Sequence, residues 1–257
     1  MKIRVINPNT SAAMTEKIGI AARAVAAAGT LIEAVNPSFG APSIEGHHDD
    51  VWAAAGVIEQ VQAGEAAFDG AGADAYVIAC FGDPGLDAAR ERARGPVIGI
   101  AEAAFHAASL LATGFSVVTT LSRTCVIAEH LLQRYGLERR CRGIHGTDIA
   151  VLELEDPASR AFERILSAAE HALTHDRSGA IVLGCAGMTD LCAALQQRLG
   201  VPVIDGVGVA VKLAEALVGL GLATSKCGDY AAPLTKSYVG LAAPFSPCQP
   251  SGSTGLR

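Results

Sequence analysis

Apolar residues in this chain gather in short unbroken runs and do not alternate with polar ones. Val77-Ile78-Ala79, Val97-Ile98-Gly99-Ile100, Ser116-Val117-Val118-Thr119-Thr120 and Ile181-Val182-Leu183 are the clearest. A strand with one wet face reads with period two, so a continuous run of this length marks a strand buried on both sides. Ala- and Leu-rich stretches of helical length separate the runs. Short buried strands alternating with helices predict an α/β fold whose parallel sheets are covered on both faces. The first helix is expected over about 11–28: Thr10 and Ser11 supply capping oxygens at its start and Gly29 ends it.

One unit of this pattern occurs twice. Tyr76-Val-Ile-Ala-Cys80-Phe-Gly-Asp-Pro leads to Pro96-Val97-Ile98, and Ile181-Val-Leu-Gly-Cys185-Ala-Gly-Met-Thr leads to Pro202-Val203-Ile204. Cysteine and proline are 16 residues apart in the first copy and 17 in the second. Upstream, Ile3-Arg-Val-Ile-Asn-Pro-Asn-Thr10 opens the first half, as Phe115-Ser-Val-Val-Thr-Thr-Leu-Ser122 opens the second. Duplication predicts two pseudo-symmetric three-layer αβα lobes. The expected division is 1–98 with 208–240 for the first lobe and 99–207 for the second, the helix near 208–220 crossing back. Residues 241–257 are rich in Pro, Gly and Ser and are expected to form a disordered tail, which removes Cys248 from consideration.

Composition narrows the class of function. The 257 residues are half hydrophobic, enough for a large core, and carry a net charge of −6 with no Lys/Arg run. Nucleic acid and anionic membranes need a basic footprint, so a small molecule is the expected partner. No run of 18 apolar residues occurs, and Asn7-Pro8 interrupts the N-terminus before a signal-peptide core can form, so a cytoplasmic protein is expected. Seven cysteines without framework spacing fit free thiols in a reducing compartment. No cofactor or metal is expected. Adjacent side chains in His47-His48-Asp49-Asp50 rarely point at one ion, and Gly206-Val-Gly208 lacks the rest of a dinucleotide fingerprint.

Cys80 and Cys185 each end a strand, and ligands of open parallel sheets bind beyond the strands' carboxyl ends. Two thiols related by a pseudo-twofold axis can approach one carbon from opposite faces, the requirement for removing and returning a proton next to a carbonyl. Contacts of about 3–3.5 Å on each face put the sulfurs roughly 6–7.5 Å apart, too far for a disulfide. Asp83 and Thr189 are read as caps of the helices that follow, with Pro84 at a first helical position. Those helix ends should depress the thiol pKa and, through the amides around Phe81, Gly82, Ala186 and Gly187, hold an enolate oxygen. Cys125, Cys141, Cys192 and Cys227 have no symmetric partner and read as small buried hydrophobes. Glu45 and Asp83 are expected to satisfy backbone donors.

The residues that carry this chemistry resemble a known family. Asn7-Pro8-Asn9-Thr10, Ser43-Ile44-Glu45-Gly46, Ala79-Cys80-Phe81-Gly82-Asp83-Pro84-Gly85 and Leu183-Gly184-Cys185-Ala186-Gly187-Met188 are similar to the motifs of hydantoin racemases, in the aspartate/glutamate racemase superfamily. The resemblance covers about 1–240 and, through Pro96-Val-Ile-Gly-Ile-Ala-Glu-Ala-Ala, Val118-Thr-Thr-Leu and Ala223-Thr-Ser-Lys226, runs most fully to the allantoin racemase branch. It implies the fold of that superfamily, a racemase that needs no pyridoxal phosphate, Cys80 and Cys185 as acid and base, and an even-numbered homo-oligomer. Allantoin is a 5-ureido hydantoin, so the two activities are one reaction on different C5 substituents. Glutamate racemases carry Cys-Asn-Thr and Cys-Thr-His where this chain has Cys-Phe-Gly and Cys-Ala-Gly. No Lys or Arg lies in either turn to grip a carboxylate, so a neutral cyclic ureide fits better.

Asn9, Thr119 and Thr120 are then candidate ring contacts, with Phe39 and Ile44 as walls for the C5 substituent. Two rival readings remain: an arylmalonate-type decarboxylase or maleate isomerase of the same fold, and a non-catalytic ureide-binding protein. A single-cysteine decarboxylase has no use for the second thiol.

Overall fold

The computed structural model describes residues 1–68 and 70–247. Its first sheet holds β1 (Lys2–Ile6), β2 (Leu31–Val35), β3 (Ala75–Ile78) and β4 (Val97–Gly99) in the order β2-β1-β3-β4. With β5 (Phe115–Thr119), β6 (Cys141–Gly146), β7 (Ile181–Leu183) and β8 (Val203–Ile204), the second repeats that order as β6-β5-β7-β8. Every pairing is parallel. The runs read as doubly buried strands are so: β3, β4, β5, β7 and β8 are buried throughout.

The helices are α1 (Ala12–Val25), α2 (His47–Ala66), α3 (Leu86–Arg92), α4 (Ile100–Leu111), α5 (Cys125–Arg134), α6 (Ala161–His175), α7 (Cys192–Leu199) and α8 (Gly206–Gly219). Ser11 caps α1, its Oγ accepting from the Met14 amide at 3.1 Å. Helix α4 leaves the first sheet and packs beside β7 and β8, whereas α8 returns from the second sheet to lie against β3, β4 and α1. The two helices touch each other along their lengths. A ring stack is built on α4: Phe81 meets Phe105 edge-on at 5.3 Å, and Phe105 stacks on Phe115 at 5.8 Å. This buried aromatic seam joins the turn after β3, helix α4 and the start of β5.

Of the tail at 241–257, Gly240–Phe245 is a 3-10 turn whose Phe245 ring meets Phe39 at 6.0 Å. Residues 248–257, Cys248 among them, lie outside the described residues. No helix of the described residues is long and apolar enough to cross a membrane.

Candidate active site

The carboxyl ends of β1, β3, β5 and β7 meet at one cleft of about 660 Å³, a figure that includes space open to solvent. Cys80 enters it from the first sheet and Cys185 from the second. Both thiols are free and partly exposed. Of the residues selected from sequence, Asn9, Ile44, Phe81, Gly82, Thr119, Thr120 and Ala186 line the same cleft.

Two selected residues do not. Phe39 lines a separate apolar groove with Trp52 and Phe245. The reason is Glu59, which accepts from the Ser38 amide at 3.0 Å and the Ser38 hydroxyl at 2.6 Å and so ties this loop to the face of α2. Gly187 sits just outside the cleft wall, its amide directed at Cys185 Sγ at 3.4 Å.

The cysteine turns differ from the expected caps. Asp83 does not cap the helix that follows it: α3 starts later, from Gly85 in the left-handed region (φ 67°). Asp83 itself has φ 44° and turns its carboxylate inward, where it accepts from the Ala101 and Glu102 amides at 3.1 and 2.9 Å and from the Tyr135 hydroxyl at 2.7 Å. It therefore caps α4, the helix that crosses between the sheets. Burial pushes Asp83 up to about 6, against the pull of these hydrogen bonds. Nor does Thr189 cap α7. Ala186–Leu191 is a 3-10 turn, started by the Cys185 sulfur accepting from Gly187, and α7 begins only at Cys192.

The thiols accordingly run opposite to the expected depression. Desolvation raises both, Cys185 to about 11 and Cys80 further. The Gly82 and Gly187 amides pull the other way, and Lys17 helps Cys185, while Asp50 and Asp83 add to the rise at Cys80. With no regular helix starting at either sulfur, no summed helix dipole offsets the loss of water.

The binding walls are preorganised. Asn9 Oδ1 accepts from Asn7 Nδ2 at 2.8 Å and from the Ser11 amide at 2.9 Å, which leaves its own NH2 with only the Met14 thioether at 3.2 Å. That amide can turn to a ligand carbonyl at small cost, because a thioether is a weak acceptor. Thr119, on the cleft wall, donates its Oγ1 hydrogen to the Gly184 carbonyl at 2.9 Å and so retains acceptor capacity. Glu45 does satisfy a backbone donor, the Val151 amide at 3.0 Å, and so ties the Ile44 loop to the Val151–Glu155 turn that closes one side.

Sequence reasoning missed Asn7, Met14, Asp50, Thr124, Ile127 and Val151 on these walls. Thr124 and Ile127 stand at the start of α5 as Met14 does near the start of α1. Carrying the duplication from the cysteines to these strand-to-helix turns finds them.

Residues 3–214 match the model of the Asp/Glu/hydantoin racemase family. A hydantoin racemase of Rhizobium meliloti is 49% identical over 240 residues, covering 93% of this chain and 98% of that protein. Among solved structures, an allantoin racemase from Klebsiella pneumoniae superposes with a TM-score of 0.93 at 56% identity, over 96% of this chain and 100% of that one. The allantoin racemase AllR of Pseudomonas fluorescens gives 0.88 at 44% identity, over 93% and 100%.

Proposed function

The chain belongs to the Asp/Glu/hydantoin racemase family, and on that premise we propose that it inverts C5 of hydantoin-type cyclic ureides without a cofactor, with allantoin the favoured substrate and 5-substituted hydantoins next. The observation that carries this reading is the meeting of Cys80 and Cys185 in one cleft, each from the equivalent strand end of a like-ordered sheet. A planar ring bound between them offers C5 to one sulfur on each face. One thiolate removes the C5 proton, the adjacent C4 carbonyl becomes an enolate, and the other thiol returns a proton to the opposite face. The reverse reaction exchanges their roles.

The walls suit a neutral ring. Lys and Arg are missing from the described lining, so nothing there pairs with a substrate carboxylate, and the side chains of Asn9, Thr119 and Thr120 supply polar contacts. The Gly82 amide, already aimed at Cys80, supports that sulfur when it is anionic. The 56% identity to the allantoin racemase from Klebsiella pneumoniae supports placing allantoin first.

The test follows a single enantiomer of allantoin in deuterated buffer. Optical rotation should decay to zero as deuterium enters C5, and Cys80→Ser and Cys185→Ser should each abolish the decay while retaining substrate binding. Undiminished rotation with the unaltered protein, or full racemisation by either variant, refutes the proposal.

A further inference from the structure

Asp50 stands out among the cleft residues. It lies in the first turn of α2, is half-buried, and faces the cleft beside Cys80. Its Oδ1 is close to the Cys80 turn: a Cβ built on Gly82 would come within 3.2 Å of it. Its neighbours are occupied elsewhere, Asp49 with the Glu45 amide and Glu45 with Val151. Among the described residues, no side-chain or backbone donor is hydrogen-bonded to the Asp50 carboxylate. A carboxylate in that setting costs free energy, the direction also seen in its raised pKa, whose chief cause is burial. The group raises Cys80 as well, so it does not serve to ionise that thiol. Its one favourable charge is His47, on its own helix turn; what it lacks among the described residues is a protein donor, which a ligand displacing water from the cleft can supply.

We propose that Asp50 is the specificity-determining acceptor for the 5-ureido group of the substrate. This rests on the racemase reading of the site. A ureido substituent presents two N–H bonds side by side, on its inner and outer nitrogens, and these match the two oxygens of a carboxylate as a guanidinium fork does. A 5-alkyl hydantoin offers no such pair, and leaves Asp50 desolvated and unpartnered when it fills the cleft. The ring N–H groups are common to both substrates and cannot distinguish them. Asp50 is thus a reason for this cleft to prefer allantoin over amino-acid hydantoins.

The experiment measures kcat/KM on allantoin and on 5-isopropylhydantoin for the unaltered protein, Asp50→Asn and Asp50→Ala. Loss of a charged acceptor from a desolvated site should lower the ratio of the allantoin value to the alkyl value by about 10- to 100-fold in Asp50→Ala, mostly through KM on allantoin, on top of whatever common change the variant makes at Cys80. Asp50→Asn, which keeps one carbonyl oxygen, should fall between. The ratio of the two substrates is the decisive readout, because any change at Cys80 acts on both alike. Equal losses on both substrates overturn the proposal, as does an unchanged ratio. Failure of the unaltered protein to racemise either substrate refutes the racemase reading itself and is told apart by that control.

Discussion

Replacing Asp83 separates the cost of a buried charge from the value of its hydrogen bonds. Its carboxylate is 2% exposed and takes two amides at the start of α4 and the Tyr135 hydroxyl. Asp83→Ala leaves those two amides without acceptors. At about 1–3 kcal/mol for each unsatisfied buried donor, and with the partly exposed Tyr135 able to find water, the two amides cost about 2–6 kcal/mol, a loss seen in full at pH 4 and partly offset at neutral pH by removal of the buried charge. Asp83→Asn keeps an oxygen for both amides and removes the charge. Lifting a carboxyl from its ordinary 3.8 to about 6 costs about 3 kcal/mol at neutral pH.

The sign follows from proton binding. Between these two values the folded state holds the proton that the unfolded state has released, so the stability contributed by Asp83 is complete below 3.8 and lost as pH rises through 6. Asparagine has no such dependence. Urea unfolding of both proteins from pH 4 to pH 7.5 should therefore show the unaltered protein losing about 2.4 kcal/mol relative to Asp83→Asn over that range, since a small part of the effect is already spent at pH 4. A difference that stays level with pH, or a larger loss in Asp83→Asn than in Asp83→Ala, refutes the assignment of Asp83 as a buried, charged cap.

The remaining predictions concern the cleft. With Cys185 raised to about 11, its thiolate absorbance, taken as the difference from Cys185→Ser, should show no step below about pH 10 in the ligand-free protein. Iodoacetamide should label it about 100-fold more slowly at pH 7.5 than an unperturbed thiol; rapid labelling with a midpoint under pH 8 contradicts the desolvated site. Because this shift is also upward, ionising Cys185 should cost the fold stability as pH rises from 9 through 11. Glu45→Ala removes the acceptor of the Val151 amide, so hydrogen exchange at Val151 should quicken by about 5- to 10-fold, a loss of roughly 1 kcal/mol. Unchanged protection there means that the turn is held by its packing.

The fold was legible because its signal is large and local. Uninterrupted runs such as Val77–Ala79 and Ile181–Leu183 have one stable use, between two layers of helix, and their repetition gave two sheets of one strand order. The cysteines were legible for the same reason: a strand end is fixed by the strand. Caps were not. Asp83 was assigned to the next helix along the chain because sequence shows only neighbours, whereas a left-handed turn swings its carboxylate to α4, 18 residues ahead. The thiol pKa values were missed through a balance invisible in sequence, in which loss of water outweighs two nearby amides. Phe39 is held away from the cleft by the tether of its neighbour Ser38 to Glu59, 21 residues further on, and no periodicity reports such a tether. Asp50 was read only as a failed metal ligand, although an acidic residue beside a cleft cysteine has other uses.

The two sheets match in strand order but not in the charges near their sulfurs. Asp50 and Asp83 both raise Cys80, whereas at Cys185 the Lys17 ammonium, 3.5 Å from the Gly187 carbonyl, opposes the smaller push of Glu45. Mirror-image substrates in water have equal free energy, so the Haldane relation forces a racemase to have the same kcat/KM for both hands. The imbalance can therefore never favour one product at equilibrium; it can only move kcat and KM in step. On the proposed two-thiol mechanism, and with Cys185 raised less than Cys80, the hand that turns its hydrogen toward Cys185 meets the readier base, and its mirror image waits for the proton to change sulfurs. At saturating concentrations the two directions should then differ in maximal velocity, and each turnover should leave the protein in the form that suits the opposite hand.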